Sequence, residues 1–203
     1  MTENKITVFS YRRCPFALRV RIALYEKEIA FDVREEDLKN FSQDLRNLHP
    51  EVKVPLLVHG ERVVYESAII TEYVDDLAPE RFPLMPKGAG EKSEVRLWTY
   101  WCNQQFKPDL DRFKYGSSRF KAEECVESED KVKKHLTKIE ERLKISPWLV
   151  GSQFSLADIN VFPFVRQLFR IQPTPVFLDS FPNLCEWQTK ISQRPSVIES
   201  LKK

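Results

Sequence analysis

"KITVFSYRRCPFALRVRIALYEKEIAFDV", residues 5–33, decides the fold of the first half of the chain. "KITVF" reads as a short strand, the stretch from Pro15 to Glu28 as an amphipathic helix, and "AFDV" as a second strand. A strand, a helix and a strand in this order form a right-handed unit with parallel strands. Working outward, a polar segment around Leu38 to Leu48 precedes "VPLLVH" (54–59), "RVVY" (62–65) and "SAIITEYVDDL" (67–77), so the order becomes β-α-β-α-β-β-α. Gly60 and Glu61 separate the last two strands by a tight turn, which fits an antiparallel hairpin. The expectation is a small mixed sheet with helices packed on it.

Residues 78–90, "APERFPLMPKGAG", carry three prolines and two glycines without periodicity and read as a linker. Beyond it the strand signals stop. Val132, Leu136, Ile139 and Leu143 recur at helical spacing, and Val95, Trp98 and Cys102 mark another helix face. "SLAD" (155–158) offers Ser155 as N-cap and Asp158 at the third helical position, opening the apolar helix "LADINVFPFVRQLF". The domain expectation is therefore 1–77, a linker over 78–90, and an all-helical 91–203.

Composition narrows the function. The chain has 203 residues, 42% hydrophobic and 31% charged, with no apolar run near the roughly 20 residues of a membrane span. A formal net charge of +2 gives no field that would select nucleic acid as partner. The basic run "KVKK" (131–134) lies in a glutamate-rich helical pattern and reads as a solvated face. MTENKITVFS has no basic patch followed by an apolar stretch, so the expected location is the reducing cytoplasm. Four cysteines and three histidines stand far apart, without metal-ligand or disulfide spacing, and no metal is expected.

Among those cysteines Cys14 is distinctive. It follows a strand and immediately precedes Pro15, a residue favoured in the first turn of a helix. Amide groups and the helix dipole at that end stabilise a thiolate, and Arg12 and Arg13 add positive charge nearby, so the sequence predicts a lowered pKa and a nucleophile. Ala17 stands one turn on, where a dithiol oxidoreductase would carry its resolving cysteine. A lone thiolate here would exchange with a second, small-molecule thiol.

"CPFALR" (14–19), "VP" (Val54 and Pro55), "YES" (65–67) and "SLADI" (155–159), in this order and context, resemble the glutathione transferase superfamily, and within it the cysteine-type, omega-like branch. The resemblance spans the chain. It implies a thioredoxin-like first domain with a mixed four-stranded sheet, an all-helical second domain, a homodimer, and glutathione as co-substrate. It further implies a cis peptide before Pro55, with the main chain of Val54 pairing with glutathione; Glu66 and Ser67 taking the γ-glutamyl end; Lys53 on the glycine carboxylate; and Phe16 as a wall beside the Cys14 thiol. The omega pattern has a lysine for that carboxylate where this chain has Phe41, with Lys39 close by.

Cys14 implies thiol transfer through a mixed disulfide, such as deglutathionylation or dehydroascorbate reduction. Two alternatives stand beside it: conjugation to a small electrophile, with the glutathione thiolate activated by Tyr11 or Ser10, and a non-catalytic interaction protein on the same scaffold. Second-substrate candidates are Tyr11, Trp98 and Tyr115, with Trp101 and Phe113 close in sequence to the last two. Arg112 and Arg119 suit an anionic aromatic substrate, although such aromatics also serve as helical core.

Overall fold

The computed structural model describes residues 5–202. They divide into two compact units: residues up to Leu84 together with those from Arg194 on, and Met85–Gln193.

In the first unit, β1 (Ile6–Ser10), α1 (Pro15–Glu26), β2 (Asp32–Glu35), α2 (Gln43–Leu48), β3 (Leu56–His59), β4 (Arg62–Tyr65) and α3 (Ser67–Leu77) follow one another in the order expected. The sheet order is β2-β1-β3-β4, with β1 parallel to β2 and antiparallel to β3, and β3 antiparallel to β4. This is the thioredoxin-like arrangement. β2 begins two residues later than "AFDV" suggests, since its pairing with β1 starts at Thr7 opposite Asp32. It is an exposed edge strand, so apolar content alone does not mark its limits. Phe9, Leu45 and Leu56 form a buried cluster against α2, with Phe41, Val52 and Val54 packed on it.

α10 (Pro195–Leu201) completes this unit. The sequence assigns 91–203 to the helical half, whereas in the structure the segment from Arg194 on packs against α1. The Arg194 guanidinium donates to both oxygens of Glu26 at 2.7 and 2.6 Å, and the Ser196 hydroxyl donates to the same carboxylate. A buried pair, Lys27 and Asp75 at 2.8 Å, ties the end of α1 to α3.

The second unit is helical. α4 (Ala89–Trp101) runs through a π-helical turn, Cys102–Phe106, into α5 (Lys107–Tyr115); α6 (Ala122–Cys125), α7 (Ser128–Leu143), α8 (Leu156–Leu168) and α9 (Pro182–Ser192) follow. α7 buries Val132, Leu136, Ile139 and Leu143, the stripe its sequence announces. α8 starts with the expected capping box. Ser155 Oγ accepts from the Ala157 N–H at 3.3 Å, and Asp158 accepts from the Ser155 N–H at 3.0 Å. Asp158 also accepts from Leu149 N–H at 3.0 Å and from Trp187 Nε1 at 2.8 Å, so one buried carboxylate joins α8, α9 and the loop before α8. None of the described helices is long and apolar enough to cross a membrane.

Candidate active site

β1 delivers the chain to Ser10, and Cys14 caps α1 with an extended backbone (φ −73°, ψ 120°) ahead of Pro15. The Cys14 N–H donates to the Tyr11 carbonyl at 2.8 Å, closing the loop, and its carbonyl accepts from the Leu18 N–H at 3.0 Å, starting the helix. The half-buried thiol lies 3.8 Å from the Val54 carbonyl, to which it can donate. The Val54–Pro55 peptide is cis, as the resemblance implies.

The electrostatics of the thiol depart from the sequence expectation. Burial pushes the Cys14 thiol above its ordinary pKa, because a thiolate there loses water. The Ala17 and Phe16 N–H groups, followed by the charges of Arg21 and Arg19, pull in the opposite direction without overcoming burial. Arg12 and Arg13, the cations the sequence suggests, are exposed, and the Arg12 N–H is engaged with Glu35 at 2.6 Å. The effective cations come from inside α1. Helical side chains lean toward the helix N-terminus, which brings positions five and seven residues on back toward Cys14. The signal was legible as two arginines in the otherwise apolar run "ALRVRIAL".

Several of the predicted binding residues share this neighbourhood. Arg19, fully buried, donates to the Ser67 hydroxyl at 3.1 Å, and its guanidinium carbon lies 5.1 Å from the centre of the Phe16 ring. Ser67 therefore starts α3 with its hydroxyl held by a cation. Glu66 precedes it in a left-handed conformation (φ 67°), exposed, and its charge is felt by Lys53 and His49. Lys53 is exposed and paired with Glu51. Val52 also has positive φ (51°), which a β-branched residue adopts only where surrounding structure enforces it. Val52 immediately precedes Lys53, and Glu66 is itself one of the expected ligand residues. Phe41 packs in the core cluster, and Lys39 is exposed.

The activation alternatives differ in access. Ser10 is fully buried, its hydroxyl engaged by Arg21, while Tyr11 is half-buried. The aromatic candidates lie in the helical unit. Trp98 is 9% exposed, packed edge-on against Trp101 at 5.2 Å and beneath the Lys138 ammonium at 4.8 Å. Tyr115 has Arg119 at 3.7 Å and Lys114 at 4.7 Å from its ring centre. Phe113 packs on Phe177. These contacts are those of core and surface packing. Among the described residues no group of three His, Cys, Asp or Glu side chains could hold a metal.

Comparison with known proteins agrees with this architecture. Residues 8–82 match the glutathione S-transferase N-terminal domain, and residues 101–195 the glutathione S-transferase C-terminal domain. Glutathione S-transferase U25 of Arabidopsis thaliana is 30% identical over 205 residues, covering 98% of this chain and 89% of the relative. The structure of rice GST1 (OsGSTU1) in complex with glutathione superposes with a TM-score of 0.88 at 25% identity, covering 100% of this chain and 92% of that one. The beta-etherase LigF of Sphingobium sp. strain SYK-6 gives 0.86 at 27% identity, covering 98% of each. The chain belongs to the glutathione S-transferase family.

Proposed function

We propose that this glutathione S-transferase is of the cysteine type and catalyses glutathione-dependent thiol transfer at Cys14. The observation that carries the reading is a lone cysteine at the N-terminus of α1, beneath two amide N–H groups, with Ala17 where a resolving thiol would stand. Glutathione, the ligand of the rice protein, would lie along Val54 with its γ-glutamyl end at Glu66 and Ser67, its glycine carboxylate near Lys53 and its sulfur between Cys14 and Phe16. The working form would be a cytoplasmic homodimer.

The chemistry is two exchanges. The Cys14 thiolate attacks the glutathionyl sulfur of a mixed disulfide; the substrate leaves as a thiolate and takes up a proton, and Cys14 holds the glutathionyl group. The thiolate of a second glutathione then attacks that sulfur, releasing oxidised glutathione and the Cys14 thiolate. Burial favours the neutral thiol at rest, and the Phe16 and Ala17 N–H groups stabilise the anion as it forms. Intact-mass spectrometry after exposure to oxidised glutathione tests this. The expected result is one glutathionyl adduct on the wild type at Cys14, absent from Cys14→Ser together with thiol-transfer activity. Retention of both the glutathionyl adduct and the thiol-transfer activity in that variant would refute it.

The raised thiol pKa favours a second reading, conjugation to a small electrophile. A neutral Cys14 S–H can donate a hydrogen bond to a glutathione thiolate instead of attacking a disulfide. Cys14→Ser would then keep aryl-halide conjugation, and Cys14→Ala would depress it. Where the hydroxyl of Tyr11 does the activating, Tyr11→Phe would depress it instead.

A further inference from the structure

Arg21 is the least explained charge in the first unit. It lies in the middle of α1, 5% exposed, and its guanidinium bonds a hydroxyl and a carbonyl, not a carboxylate: Nη1 donates to Ser10 Oγ and Nη2 to the Arg12 carbonyl at 3.1 Å. Its Nε is buried without a hydrogen-bond partner. A buried guanidinium with an unsatisfied donor is costly, so its place in the fold calls for an account.

Both of its bonds end on the segment that carries the thiol. Ser10 is the last residue of β1, and Arg12 lies two positions before Cys14. Burial weighs most on its charge, and the titratable groups facing it are Glu35 on β2, Cys14, Tyr25 on α1 and Arg12 in the loop, with Glu35 foremost among them. Glu35 accepts from the Arg12 backbone N–H at 2.6 Å, and its charge partly balances Arg21 from the β2 side. Around Cys14 the charges are Arg21 and Arg19, both on α1 and both positive. Arg19 is directed to Ser67 and Phe16, and Arg21 to the loop itself.

We propose that Arg21 is a positioning residue for Cys14: its buried guanidinium fixes the Ser10–Cys14 loop and supplies the positive charge against which the thiolate forms. This rests on the reading of Cys14 as the reacting thiol. The role differs from anchoring alone, because a neutral side chain of similar reach would hold the loop but not favour the anion.

The test is the pH dependence of iodoacetamide alkylation, followed on the Cys14 peptide by mass spectrometry in wild type, Arg21→Gln and Arg21→Lys. Arg21→Gln removes the charge together with the reach of the Nη groups, and its profile is expected to move up by about one pH unit, alkylating about tenfold more slowly near neutral pH. Arg21→Lys keeps the charge and is expected to return most of the way to wild type. Coincident profiles for wild type and Arg21→Gln, or equal displacement of both variants, would overturn the inference while leaving Cys14 reactive. Should Arg21→Gln not fold, Arg21→Lys decides alone: a profile near wild type supports the role, and one displaced as far as a full unit refutes it. A wild-type Cys14 that resists alkylation at every pH would overturn the functional reading and this inference with it.

Discussion

Asp158 shows how one side chain can set the pH response of the helical unit. Burial pushes its carboxyl up to about 6, against the pull of Trp187, Leu149 and Ser155. The folded protein thus holds this proton more tightly than the unfolded chain, whose aspartate titrates near 3.8. The stabilisation is fully present below about pH 4, falls as pH rises through about 6, and is flat above; the change is about 3 kcal/mol. Urea unfolding at intervals between pH 4 and 7 should show this slope in wild type and lack it in Asp158→Asn, which keeps an acceptor oxygen but cannot ionise. The acid's place as a cap was legible from "SLAD", because capping is local. Its titration was not, since it depends on complete burial, with Trp187 of another helix pulling the other way. The same division holds at Cys14, whose position at a helix start follows from Pro15 but whose burial is a tertiary fact.

At the scale of elements, period and turn chemistry placed β1 to β4 and α3 close to their observed limits and marked the buried stripe of α7, while the π-helical turn between α4 and α5 escaped. Val95, Trp98 and Cys102 keep helical spacing, so nothing in the pattern marks an extra residue in the turn. The structure shows what the π turn achieves. Trp101 and Phe106, five residues apart, stack at 5.5 Å with planes 7° apart, and the His135 ring approaches both. A five-residue repeat aligns such a pair where the ordinary helix would turn them away from each other. Phe106 is fully buried, so Phe106→Ala should cost about 3–5 kcal/mol in urea unfolding, and the tryptophan emission should redden as Trp101 gains water. Burial of Arg19 and Arg21 within α1 runs against the ordinary reading of a helical arginine as a wet-face residue, and only the apolar run around them hints at it.

For the whole molecule, the placement of the tryptophans allows a test of whether the two units unfold separately. Trp98, Trp101, Trp148 and Trp187 are the four tryptophans, and all lie within Met85–Gln193. Indole emission therefore reports that unit, whereas far-UV circular dichroism reports both. Glu26→Ala leaves the Arg194 guanidinium and Ser196 hydroxyl without their shared acceptor and should destabilise the first unit by about 2–3 kcal/mol. The dichroism midpoint is expected to fall to lower urea with the indole midpoint less affected; equal movement of both would show one cooperative transition. Because α10 packs on α1, almost the full length of the chain must leave the ribosome before the opening βαβ unit can meet its final helix. Until that helix emerges, the Glu26 carboxylate on α1 has water in place of the guanidinium and hydroxyl that later hold it.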